Sequence, residues 1–253
     1  MSRQLDFNNR TVLVTGGSRG IGREITRQLV ERGARVLVTG RSQRNLDAVA
    51  DEFPEKTKTF AADLGTAEGA VSVADWVKAQ FPDTSVIINN AAVMRHDDLT
   101  EGMEGQEEFV ADEIAVNLTS PMQICTALLP LLSKATSGAA IANISSGLAI
   151  APKKDAAVYC ATKAGLSSFT RSLRDQCRSR GLQVQLSDVL MTLVDTTLSR
   201  PTSIKKYPPH MAAADVLRGM ERGSDEIWVE KAKLLRVAYR ISPSLAYRLM
   251  RNR

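Results

Sequence analysis

Short runs of β-branched and aliphatic residues alternate along the chain with longer stretches in which apolar positions recur every three or four residues. Thr11–Thr15 (TVLVT) reads as a buried strand, and the stretch after it sets Ile21, Ile25 and Leu29 on one helical face. Gly33 is placed to stop that helix. Val36–Thr39 predicts a second strand and Gln43–Glu52 a polar helix. Thr57–Ala61, Val86–Asn89, Ala140–Ile144 and Gln183–Ser187 read as further strands, with helices over Ala67–Gln80, Glu107–Leu132 and Ala156–Arg178. Strands that alternate with helices imply βαβ crossovers, hence an α/β chain whose parallel sheet is covered on both faces. No repeat or linker divides it, so one domain is expected over 1–253, its core spanning about 8–200.

Two regions leave the alternation. Asp195–His210 holds Pro201, Pro208 and Pro209 among polar residues and reads as a long irregular loop, part of a substrate loop at about 195–212. The extension at 213–253 follows: a helix near Ala212–Arg222, a last strand near Glu226–Val229, then a basic amphipathic stretch broken near Pro243.

Composition narrows the class. With 43% hydrophobic and 24% charged residues in 253, the chain can build a core unaided. It has no run of about 20 uninterrupted apolar residues, so no membrane-crossing helix is expected. Met1–Arg10 is polar and lacks the apolar stretch of a secretory signal. Three cysteines without a CxxC pair argue against a disulfide framework or a zinc site, and a reducing cytoplasm is the expected compartment. Seven cations and no acid lie between Lys231 and Arg253, which leaves the remainder nearly neutral. The net charge of +5 therefore belongs to the tail, and nucleic acid is not an expected partner. The tail has several readings: an ordinary terminal helix, packing against a second subunit, a cover for a substrate cleft, or peripheral contact with an anionic membrane.

Thr15-Gly16-Gly17-Ser18-Arg19-Gly20-Ile21-Gly22 stands where the first strand meets the first helix. Glycines there let the backbone turn sharply and approach a pyrophosphate, whose charge meets N–H groups at the helix start. The end of the second strand carries Gly40-Arg41 where an NAD-preferring chain would carry an acid for the ribose 2′-OH. Arg41 and Arg19 are suited to a 2′-phosphate, so NADP(H) is expected over NAD(H).

Ala140–Ser146 is a buried run that ends in polar residues, and Tyr159 and Lys163 follow at helical i,i+4 spacing. A cation near a phenol favours its ionised form, which would let Tyr159 exchange a proton with a carbonyl or alcohol. With TGGSRGIG (15–22), Asp63-Leu64, Asn89-Asn90-Ala91, Asn117, Ser146 and YCATK (159–163) in order, the chain resembles the short-chain dehydrogenase/reductase family over roughly residues 8–200. The resemblance implies a Rossmann-type doubly wound fold. It also implies that Gly16, Gly20 and Gly22 form the dinucleotide turn, Asp63 and Leu64 meet the adenine, and Asn90 lies beside the adenosine ribose. Ser18, Ile21 and Ala91 belong to the same cofactor wall. Ser146 would hold the substrate oxygen and Tyr159 act as general acid or base. Lys163 would bind the nicotinamide ribose and lower the Tyr159 pKa, and Asn117 would hold a proton-relaying water. Val194 and Thr196 would face the carboxamide and pyrophosphate, while Met94 and Leu148 are expected in the substrate wall. Family members commonly form dimers or tetramers.

Ala92 replaces a familial glycine, and Met191-Thr192 stands where the family carries Pro-Gly, which questions the backbone path there. The C-terminal part is similar to a subgroup named for D-alanine esterification of teichoic acid, a label that identifies no substrate. The combined reading is hydride transfer between NADP(H) and a carbonyl or alcohol. The alternatives are a non-catalytic NADP(H)-binding regulator or scaffold and a Ser–Lys hydrolase. The latter lacks a GxSxG elbow, and only His96 and His210 are available as histidines.

Overall fold

A computed structural model describes residues 4–96, 99–101, 107–136, 138–198 and 205–251 of the chain. Seven strands form one sheet: β1 (Thr11–Thr15), β2 (Arg35–Gly40), β3 (Thr57–Ala61), β4 (Thr84–Asn89), β5 (Ala139–Ser146), β6 (Val184–Met191) and β7 (Glu226–Trp228). Their order is β3-β2-β1-β4-β5-β6-β7, and every pairing is parallel. The nine helices of the described residues are α1 (Gly20–Glu31), α2 (Gln43–Glu52), α3 (Ala67–Gln80), α4 (Glu107–Ile114), α5 (Ser120–Leu132), α6 (Ala157–Ser179), α7 (Pro209–Glu221), α8 (Ala232–Ile241) and α9 (Pro243–Met250). The expected doubly wound α/β fold is present.

The central strands bury both faces because successive side chains point opposite ways. Val12, Val14, Val36, Val38, Val86 and Ile88 pack with Ile25 and Leu29 of α1 and with Val216 and Leu217 of α7. Leu13, Leu37, Ile87 and Ile141 pack on the other face with Val73 and Val77 of α3 and with Ile124 and Leu128 of α5. Burying each large aliphatic side chain stabilises the fold by about 1.5–3 kcal/mol.

The single helix expected over 107–132 is interrupted by a π-helical turn, Ala115–Thr119, between α4 and α5. By length and hydropathy this run would be able to cross a membrane. Here it serves as a crossover helix, with α5 against α3 and the π turn against α6. β6 runs to Met191, four residues past its expected end, since no proline interrupts it. α7 begins at Pro209, three residues early, because a proline in the first turn has its φ already set for a helix. The basic stretch splits at Ser242, whose hydroxyl accepts from Leu245 N and caps α9. Pro201, one of the substrate-loop residues, lies outside the described residues.

Candidate active site

From β1 the chain passes to β2 on one side of the sheet, and from β3 it crosses back to β4 on the other. The crevice this leaves beyond the carboxyl ends of β1 and β4 is where doubly wound sheets bind ligands. A cavity of about 980 Å³ opens there. Its walls include every cofactor and substrate residue expected from the sequence: Gly16, Ser18, Arg19, Gly20, Ile21, Gly22, Arg41, Asp63, Leu64, Asn90, Ala91, Met94, Ser146, Leu148, Tyr159, Lys163, Val194 and Thr196.

Backbone makes the first end of the cavity. Gly16 has φ +63°, the left-handed region that side chains resist. A Cβ on Gly22 would lie 2.2 Å from Gly16 O, so only glycine lets the helix come so near the turn. Thr26 Oγ1 donates to Gly17 O at 3.0 Å, and Asn90 Nδ2 donates to Thr15 O at 3.0 Å and Gly16 O at 3.3 Å. The turn is thus tied to both α1 and the end of β4. Asp63 Oδ1 accepts from Gly65 N at 2.9 Å, and its other oxygen stands 4.0 Å from Arg41 Nη1.

The opposite end is built from side chains. Ser146 closes β5, and its Oγ accepts from Leu148 N at 3.1 Å. Tyr159 and Lys163 share one face of the first turns of α6, and both are buried. Lys163 Nζ donates to Ile144 O at 2.8 Å and lies 5.6 Å from the centre of the Tyr159 ring. Burial pushes the Lys163 amine down to about 8, against the pull of the Asp188 and Glu113 carboxylates towards the charged form. Asp188 in β6 is itself fully buried and accepts from the hydroxyls of Ser145 and Ser167.

Burial dominates at the phenol. It holds Tyr159 above its ordinary pKa, although the Ser146 hydroxyl pulls the other way. Asn117 takes a different place. It is the one expected site residue away from the cavity wall, fully buried in the π turn. Its Oδ1 accepts from Val93 N at 2.9 Å, and its Nδ2 donates to Val93 O at 2.8 Å and Thr162 Oγ1 at 3.3 Å. The carboxamide therefore braces the segment after β4 against α6.

Met191-Thr192 leaves the wall intact. Met191 pairs with Ser146 at the strand end, Thr192 Oγ1 donates to Glu230 Oε2 at 3.2 Å, and Val194 bridges to Tyr207. Several wall residues were not anticipated. Ser42 and Asn45 border the Arg41 corner, where a capping serine directly after Arg41 was a readable signal. His96 Nδ1 lies 3.1 Å from Asp155 Oδ2 and 3.2 Å from Lys153 Nζ, three residues whose positions in sequence announce nothing. Leu234, Leu235 and Ala238 of α8 complete the wall, in line with the reading of the tail as a cover for the cleft.

The short chain dehydrogenase family model matches residues 10–206. The chain is 33% identical over 243 residues to the uncharacterized oxidoreductase DltE of Bacillus subtilis, covering 93% of this chain and 94% of that protein. It is 32% identical over 199 residues to the 3-oxoacyl-[acyl-carrier-protein] reductase FabG of Escherichia coli, covering 79% of each. A short chain dehydrogenase of Burkholderia cenocepacia, solved in complex with NADP, superposes with a TM-score of 0.85 at 24% identity, over 97% of this chain and 99% of that one. One from Sphingobium yanoikuyae, solved with NADPH, gives 0.77 at 23% identity, over 86% and 87%. Fold, family model and full-length similarity agree: this chain belongs to the short-chain dehydrogenase family, in a subgroup with DltE, and is an oxidoreductase of the CH–OH/C=O pair.

Proposed function

We propose that the chain is an NADP(H)-dependent reductase of a carbonyl substrate, with Tyr159 as the proton donor. The observation that carries this reading is the convergence of Ser146, Tyr159 and Lys163 on the cavity that also receives the glycine turn. The residues fit a dinucleotide phosphate. The first turn of α1 holds no acidic side chain, and Arg19 stands at its cap. No acid follows β2. The Arg41 guanidinium is about half exposed and only 4.0 Å from Asp63, so it remains available to a 2′-phosphate beside Ser42 and Asn45.

Bound NADPH would supply a hydride from nicotinamide C4 to the carbonyl carbon. Ser146 would hold the carbonyl oxygen, and the Tyr159 O–H would pass it a proton, so that ketone or aldehyde leaves as alcohol. A buried phenol is protonated at neutral pH and so can donate. Lys163 would bind the nicotinamide ribose and stabilise the phenolate left behind, while Asn117 positions the segment after β4 through Val93. The test is a titration with NADPH and NADH, followed by a panel of aldehydes and ketones. NADPH should bind about tenfold or more tightly than NADH, as expected for charge-assisted bonds to a phosphate, and at least one carbonyl should be reduced. Equal affinities would remove the assignment of Arg41 and Arg19. A wholly inert panel would remove the reductase.

A further inference from the structure

We propose that the α8–α9 hairpin is a docking face for an anionic lipid bilayer, and that the pocket beneath it accepts a long apolar chain drawn from that bilayer. The second half rests on the reductase reading, whereas the first does not. The hairpin's inner face is pinned over the site. Leu235 and Ala246 bury against Ala151, Leu235 packs on Gly147 beside Ser146, and Lys154 N donates to Arg251 O at 3.0 Å.

Its outer face is apolar where solvent should favour polar groups. Leu234, Val237 and Ile241 are 70%, 55% and 74% exposed and fall at i, i+3 and i+7, which makes one stripe along α8. Leu245 and Leu249 lie exposed on α9. Contiguous patches of this kind mark interaction sites.

Charge selects the occupant. Residues 231–253 contain no acid. Lys231 and Arg236 are answered by Glu230 at 3.7 Å and Glu226 at 3.5 Å. Lys233, Arg240, Arg248 and Arg251 have no carboxylate partner among the described residues. A second copy seated here would bring the same cations against these. An anionic bilayer offers negative headgroups to the cations and hydrocarbon to the stripe between them.

The stripe also reaches the pocket. Leu234 and Leu249 are exposed and at the same time line its wall, which continues inward through Leu193 and Leu148 to Ser146. An aldehyde or ketone on an aliphatic tail could leave its tail along this path while its oxygen met Ser146 and Tyr159.

The experiment is co-sedimentation of the full chain with phosphatidylglycerol or phosphatidylcholine vesicles, with NADPH affinity measured in parallel. Anionic vesicles should bind the protein at least about 25-fold more tightly, since each cation at the surface adds about a fivefold preference and at least two of the four would reach it. The double variant Val237→Asp, Ile241→Asp should lose that binding and keep the parent's NADPH affinity. A long-chain aldehyde in anionic vesicles should be reduced several-fold faster than in neutral ones, while a short soluble aldehyde is reduced equally in both. Equal pelleting with both lipids, or none, would overturn the docking face. So would a dimer in light scattering that the double variant splits, because the face would then belong to a second copy. Vesicle binding with no turnover of any carbonyl would overturn the reductase reading and the substrate assignment, and would leave the docking face standing.

Discussion

The two ends of the cavity are built by different means. The end at the β1–α1 turn is made by backbone: Gly16 in the left-handed region, Gly22 within a Cβ's reach of Gly16 O, and Asn90 clamping the turn. The end at Ser146 is made by side chains from β5, α6 and the C-terminal hairpin, and its electrostatics follow from burial more than from pairing. A backbone cradle tolerates almost no change but is indifferent to what sits beyond it. A side-chain wall can be retuned for a new substrate without disturbing the cradle.

Lys163→Met attacks the side-chain end and should have the larger effect. Turnover is expected to fall by about 100-fold or more, as for loss of a group that tunes proton transfer. Its stability should behave oppositely. The folded amine sits at about 8 against an ordinary 10.5, so between those values the unfolded chain binds more protons than the folded one. Below pH 8 the buried cation costs stability, and that cost fades as pH rises. Melting curves should show the variant at least as stable as the parent at pH 7, with the parent gaining on it from pH 8 to pH 10. A parent that loses ground over that window would contradict the burial argument.

Gly22→Ala attacks the cradle. With its Cβ driven against Gly16 O, NADPH affinity should fall about 10- to 100-fold, matching the roughly 1–3 kcal/mol of an overpacked contact. Fluorescence titration of the cofactor measures this, and unchanged affinity would mean the turn is not a cradle. Arg41→Ala sharpens the comparison most gently: its KM for NADPH should rise about tenfold, as for loss of one charge-assisted bond, while that for NADH stays within about twofold. Equal changes for both cofactors would place Arg41 away from the 2′-phosphate.

What was legible in the sequence follows the same division. The strand–turn–helix with its glycines is written in consecutive residues, and the unbroken β-branched and aliphatic runs TVLVT and VLVT announce strands buried on both faces. Ser146, Tyr159 and Lys163 were readable because one stands at a strand end and the others at i,i+4 on one helix. The His96–Asp155–Lys153 cluster was not, because its parts come from separate loops and meet only through folding. Nor was the π turn, which directs Asn117 to Val93 and away from the cavity. How strongly burial acts on Tyr159 was not legible for a related reason. Spacing shows that a lysine is near, but only the packed structure shows how deeply the phenol is buried and where the ammonium spends its hydrogen bond. The amphipathic character of the tail was visible, and the seat of Leu235 against Ala151 and Gly147 emerges only on folding.

The most direct measurement pairs NADPH titration with carbonyl reduction in Tyr159→Phe, which removes the phenolic oxygen and keeps the ring. Turnover should fall by about 1,000-fold, within the range for loss of a general acid, while NADPH binds as tightly as to the parent. A variant that reduces carbonyls within about threefold of the parent rate would contradict proton donation by Tyr159, since removal of a general acid costs at least about 100-fold.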